Sequence, residues 1–193
     1  MHMIEIWRMK PEPRKVTSVA EDLFWKYLKE REERYRYDLG TDWFGRMMAT
    51  LFNYVPSGYT DNFSFVDPSG TSRTKNVKTS PGNYTDMLVS TYNTDVGAFI
   101  GVGTGTNTPS KQDYKLTNEV TRQSAQGRYI DGSSYFSVFA TFTLSTDTNI
   151  TEVGLYYKTG YPSYYILLDH TLLSSPVLFP ANTPMVVMYN FSI

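Results

Sequence analysis

Residues 96–116 read VGAFIGVGTGTNTPSKQDYKL. Gly101, Gly103 and Gly105 alternate directly behind an apolar run, and what these glycines are for decides the fold class. A dinucleotide-binding turn needs a third glycine three places after the second, opening a helix whose N-terminus faces the pyrophosphate. Here position 106 is Thr, followed by Asn107, Thr108 and Pro109. A phosphate-cradling P-loop needs Gly-Lys-Ser/Thr, and Lys111 comes too late and follows Ser110. No helix starts cleanly in GTGTNTP. The stretch therefore reads as a strand, then a loop, then a polar helical turn or strand over 113–120. A parallel α/β nucleotide fold is set aside, and neither a nucleotide nor any other cofactor is expected.

The flanking sequence agrees. Phe63 and Phe65 alternate with polar neighbours, as do Phe136, Val138, Ala140, Phe142 and Leu144. The terminal run puts Met185, Val187, Tyr189, Phe191 and Ile193 on one face of an extended chain, with Val186, Met188, Asn190 and Ser192 on the other. Such period-two patterns of β-branched and aromatic residues mark half-buried strands. Between them lie DPSG, SPGN, TDTN and KTGYP, all turn chemistry. Residues 56–193 are thus expected to be mainly β, an antiparallel β-sandwich or jelly roll, with the last strand closing the core.

Residues 1–55 read differently. Charged residues crowd into 1–46, and the remainder is rich in Thr, Ser, Asn, Tyr and Gly. The border falls near NYVPSGYTDN, 53–62, where Pro56 and Gly58 punctuate the chain. Ser18 and Glu21 form a capping box, and Val19, Ala20, Leu23, Phe24, Tyr27 and Leu28 make an apolar stripe at helical spacing. The run KEREERYRYD continues it, with Glu30 and Arg34 placed for an i,i+4 pair, and Gly40 ends it. A second short helix is expected from Asp42 through Leu51. The heptad seam at 16, 20, 23 and 27 meets Glu30 and Arg34, so it is too short for a coiled coil. A helical N-terminal arm is expected, lying on its own β domain or on a sister subunit. Removal of residues 1–15 is expected to be mild.

Net charge is −1 and cysteine is absent. The first gives no reason to expect nucleic acid or an anionic membrane as partner, and the second excludes disulfides and thiolate metal sites. No run of 18 apolar residues exists to span a bilayer, and MHMIEIWRMK lacks the apolar core of a signal peptide. His2, beside a second Met, has the look of a cloning remnant and carries no functional weight.

IGVGTGTNTPSKQDYKLTNEVTRQ resembles a pattern in β-rich minor structural proteins of bacteriophages and related viruses, of the tail-fibre-like or decoration-like kind. There a strand ends in a G-x-G-T-x-x-P turn, followed by an Asp and a Leu, then an acidic residue and an Arg. FSVFATFTLSTDTNITEVGLYY resembles the strand–loop–ITE-x-GL element of the same proteins, and ILLDHTLLSSPVLFPANTPMVVMYNFSI their closing pair of strands. The resemblance covers about 96–193, in order. It departs at His170, where those proteins often have Arg, and 55–95 matches nothing in the pattern. It implies a virion component and carries no catalytic residues.

His170 with Asp169 alone makes no metal site, and a surface or strand-end histidine is expected. No Ser stands in G-x-S-x-G, and His170 has no evident partners in the sequence for nucleophilic catalysis. Asp113, Glu119, Glu152 and Asp169 are the carboxylates from which a glycosidase pair would be drawn. Glu152 instead reads as a strand-end carboxylate that pairs with Arg122 or caps a turn. Tyr156, Tyr157, Tyr161, Tyr164 and Tyr165 cluster in LYYKTGYPSYY; rings on a rigid β scaffold can bind sugars, but local packing or a subunit interface is the favoured explanation. Asn62, Asn83, Asn149 and Asn190 stand in N-x-Ser/Thr sequons. The expectation is a non-enzymatic structural protein of a virus particle, without catalytic, cofactor or metal residues. It would be a homo-oligomer, a trimer favoured, in contact with other virion proteins. The rival reading is a carbohydrate-binding module or adhesin that takes host-surface glycans; a small hydrolase would need a cleft with paired carboxylates.

Overall fold

The computed structural model describes residues 2–8, 33–35, 61–78, 96–129, 135–160 and 162–192. They contain eleven strands: β1 His2–Arg8, β2 Glu33–Tyr35, β3 Asp61–Val66, β4 Ser72–Lys78, β5 Gly97–Gly103, β6 Glu119–Ser124, β7 Gln126–Tyr129, β8 Tyr135–Thr143, β9 Thr148–Lys158, β10 Tyr165–Phe179 and β11 Pro184–Ser192. Among the described residues there is no helix. One sheet has the order β2-β1-β11-β8-β7, a second β10-β9-β5-β6, and β3-β4 form a hairpin. Every pairing is antiparallel, as the turn-rich, alternating sequence predicts.

Side chains from both sheets and the hairpin meet in one hydrophobic core. Val138, Ala140 and Phe142 of β8 face Ile100 and Val102 of β5 and Val153 of β9 within it, and Phe63 and Phe65 join from β3. The alternation holds at Phe63–Phe65 and along the second half of β8: Ser64 is exposed, as are Thr141 and Thr143. It fails where β8 begins, because Phe136 is exposed and stacks on Phe191, while Ser137 is buried and donates to Asn190 Oδ1. The β3–β4 turn is DPSG. Asp67 accepts hydrogen bonds from the backbone N–H of Ser69 and Thr71, the Ser69 hydroxyl and Arg73 Nε, while Gly70 supplies the positive φ of 82°.

The terminal strand departs from half-burial. Met185, Val187 and Tyr189 enter the core, but Val186 and Met188 on the opposite face are equally buried. The physical reason is in the run MVVMY itself, whose unbroken apolar character fits a strand covered on both faces. β11 is the middle strand of its sheet, bonded to β1 on one side and β8 on the other.

The helical arm needs correction at two places. Residues 2–8 are a strand that pairs with β11 along its full length, Ile4 opposite Tyr189 and Ile6 opposite Val187. Residues 33–35 are a strand that pairs with β1. Ile4 and Ile6 are buried in the shared core, so 2–8 belong with the β part and not with a separate arm. The local sign of this strand is the period-two alternation of Ile4, Glu5 and Ile6, set within a highly charged segment. The rest of the helix expected from Ser18 to the stop at Gly40, and the second expected helix over 42–51, lie outside the described residues. The stretch 104–118 is a loop, and the strand expected within 113–120 begins at Glu119.

Candidate functional site

The opening glycines are explained by what lies over them. Ile100 and Val102 of β5 point into the main core, so Gly101 and Gly103 face the other side of the four-stranded sheet. There Gly101 is the register partner of Gly154, and Gly103 of Glu152. The loop 104–118 folds back onto this face. Leu116 is buried on it together with Tyr156 and Leu167. A Cβ on Gly154 would lie 2.9 Å from the Leu116 side chain, and one on Gly103 or Gly105 only 2.5 Å from Glu152 Oε1. The glycines thus admit a returning loop and a carboxylate.

Glu152 is the anchor of that loop. Its Oε1 accepts from the N–H of Gly105 at 3.0 Å and of Asn118 at 2.7 Å. Its Oε2 accepts from Thr117 N–H at 3.0 Å and bonds His170 Nε2 at 2.9 Å. A carboxylate offers about four acceptor sites, so these four partners saturate it. Burial alone would raise the pKa of Glu152; the bonds from His170 and the three backbone N–H groups outweigh it and lower the pKa from 4.5 to about 2. The other nitrogen of His170 meets Asp113 Oδ2 at 2.6 Å, and that oxygen also accepts from Ser110 N–H at 2.8 Å. Burial disfavours the charged imidazole, but the two carboxylates prevail and its pKa is raised.

A second polar cluster adjoins the first. The Tyr156 hydroxyl accepts from Leu116 N–H at 3.0 Å and donates to Glu119 Oε2 at 2.7 Å. Arg122 Nη2 pairs with the same oxygen at 2.8 Å. Its guanidinium lies 3.7 Å from the centre of the Tyr156 ring and 4.3 Å from that of Tyr165. Burial foremost, with the Glu119 charge second, pushes the Tyr156 pKa well up. Hydroxyl, carboxylate and guanidinium fix the loop just before β6 begins.

Of the carboxylates singled out from sequence, Asp113 and Glu152 are brought together by His170, and Glu119 lies in the adjoining cluster. Asp169 is apart; it accepts from the Thr171 hydroxyl at 2.9 Å and acts on Tyr189 in the main core. His170 is buried within β10, which corrects the expectation of a surface or strand-end histidine without partners. Glu152 likewise lies within β9 and not at its end. It does cap the loop, but Arg122 pairs with Glu119 instead. The signal for both was available: a lone ionisable residue inside an apolar run, LLDHTLL or ITEVGL, has to be buried with partners. Which partners they are depends on the returning loop, which no local pattern specifies.

The tyrosines are mostly engaged with neighbours. Tyr156 is buried. Tyr157 is half-buried, and burial raises its pKa to about 12. Arg73 stands 4.4 Å over the Tyr164 ring, and Tyr165 packs edge-on against Phe99 with centroids 5.2 Å apart. Tyr161 lies outside the described residues. Of the sequons, Asn149 is exposed, whereas Asn190 is buried and its Oδ1 accepts from Ser137 Oγ at 2.6 Å. Asn83 lies outside the described residues.

No protein-family model matches the chain, and neither a curated protein nor a solved structure matches it. Chemically, the site is a clamp. Three acceptor sites of Glu152 are taken by the loop's own backbone and the fourth by His170, so that carboxylate has none left for a substrate while the loop is in place.

Proposed function

We propose that the chain is a non-enzymatic structural protein of a virus particle, a surface, fibre or decoration component. The observation that carries this reading is the saturation of Glu152. The residues that suggest chemistry in the sequence are spent on fixing a long loop to a sheet, which suits a rigid body more than a catalyst. The residues of the resemblance also converge here: the glycines of the G-x-G-T turn, Asp113, Leu116, Glu119, Arg122, Glu152, Gly154 and position 170 are scattered in sequence and adjacent in space. The two sheets are read as the layers of a β-sandwich with jelly-roll character. The assembly is read as a homo-oligomer, with a trimer favoured, in contact with other virion proteins.

The test is the presence of the chain in particles. Particles purified from the source culture, labelled with specific antibody and viewed in negative stain, should carry the label, and mass spectrometry of the same preparation should contain its peptides. Abundant protein in the culture that is absent from purified particles would sink the proposal. The rival carbohydrate-binding reading predicts retention on a glycan array instead. It is weakened by the burial of Tyr156 and by the cation over the Tyr164 ring.

A further inference from the structure

The imidazole of His170 has a carboxylate oxygen against each nitrogen, Asp113 Oδ2 on Nδ1 and Glu152 Oε2 on Nε2. An ionised carboxylate only accepts hydrogen bonds, and a neutral imidazole donates from one nitrogen alone. Both contacts together therefore require the doubly protonated ring. The two partners differ in kind. Glu152 belongs to β9 and its side chain is wholly buried, whereas Asp113 sits on the returning loop with 26% of its side chain exposed. The other charged groups nearby are turned elsewhere: Glu119 to Tyr156 and Arg122, Asp169 to Thr171 and the Tyr189 side of the sheet.

We propose that His170 is a proton-operated latch, holding the Asp113 side of the 104–118 loop on the sheet while its ring carries two protons and releasing it when one is lost. The inference goes beyond the virion reading and does not depend on it. On deprotonation the remaining proton stays at Nε2, because Glu152 is wholly buried and losing that bond would leave its charge less compensated than the part-exposed Asp113. Nδ1 then presents a lone pair to Asp113 Oδ2, and two acceptors face each other at 2.6 Å. Asp113 is already part-exposed and moves out to solvent. Thr117 and Asn118 stay bonded to Glu152, so the opening is confined to the segment before Leu116. The sign follows from the carboxylates, which raise the ring's pKa above its ordinary value. The latch is complete below the ordinary value, and its contribution is lost as pH rises through the raised one.

Lys111 and Lys115 lie exposed on this loop, so tryptic cleavage at the two sites reads the opening directly. Cleavage rates are divided by those of a short peptide substrate at the same pH, which removes the protease's own dependence. As pH rises from about 5.5, below the ring's ordinary value, through its raised one, the corrected rate should rise about tenfold, the worth of one lost hydrogen bond to a charged group. In Asp113→Asn the side-chain amide presents its oxygen to the protonated ring and its NH₂ to the neutral one, so the rise should be largely abolished. In His170→Gln nothing titrates and the rate should be flat. A flat parent, or an Asp113→Asn variant with the parental rise, overturns the proposal. The unaltered protein gives a second test that needs no variant. The ¹⁵N resonances of the His170 ring should show both nitrogens protonated at about pH 5.5, below the ring's ordinary value; one bare nitrogen there would refute the latch.

Discussion

Replacing Glu152 by Gln tests whether the clamp supports the fold. The side chain keeps its size, but one acceptor oxygen becomes an NH₂ donor. If that NH₂ takes the place of Oε1, it confronts the N–H groups of Gly105 and Asn118; in the place of Oε2 it confronts Thr117 and meets His170. The second orientation costs less, because a neutral imidazole accepts the new hydrogen bond. It still leaves the Thr117 N–H without its acceptor, a loss of about 1–3 kcal/mol, and removes the charge from the other bonds. An independent route uses the carboxylate itself. A pKa lowered from 4.5 to about 2 corresponds to about 3 kcal/mol of preference for the ionised form in the folded state. The two routes agree near 3 kcal/mol, a large part of a domain's stability of about 5–15 kcal/mol.

For a chain of this length each kcal/mol moves the melting temperature by about 2–4 °C, so Glu152→Gln should melt roughly 6–12 °C lower at neutral pH. Thermal unfolding followed by far-ultraviolet circular dichroism measures this. The pH dependence adds a second signature. Because the folded-state pKa is depressed, the carboxylate's stabilisation is complete above about 4.5 and lost as pH falls towards about 2. The gap between parent and variant should close over that interval. A variant that melts within about 2 °C of the parent at neutral pH, or a gap that persists undiminished in acid, would refute the anchoring role of Glu152.

Gly103→Ala should destabilise by about 1–3 kcal/mol, because its Cβ would lie 2.5 Å from Glu152 Oε1 and 2.7 Å from the Asn118 carbonyl. Gly127→Ala in β7 meets nothing within 4 Å and serves as control; equal urea midpoints for the two would contradict the close approach. Deletion of residues 2–8 should yield insoluble or markedly destabilised protein, since it removes Ile4 and Ile6 from the core, at about 1.5–3 kcal/mol each, and bares the β11 edge paired with β1. Soluble protein with an unchanged melting temperature would mean that β1 is peripheral.

The mainly β, antiparallel character is legible in local pattern alone. Period-two alternation is a local property, set by the two faces of a strand, so Phe63, Phe65, Val138, Ala140 and Phe142 were legible as core residues without knowledge of their partners. Local pattern also settled the negative reading of Gly101, Gly103 and Gly105, because phosphate cradles need specific residues at fixed offsets. What those glycines do follows only from the loop and the carboxylate packed over them. Glu152 and His170 are 18 residues apart and Asp113 lies 57 residues from His170; they meet because β9 and β10 are neighbours and the 104–118 loop returns over them. Sequence spacing within one strand or loop carries no trace of such a meeting. The placement of β1 was likewise beyond local reading. Three residues of alternation, Ile4, Glu5 and Ile6, become a strand because β11 offers an edge to pair with, and that edge is supplied by the opposite end of the chain.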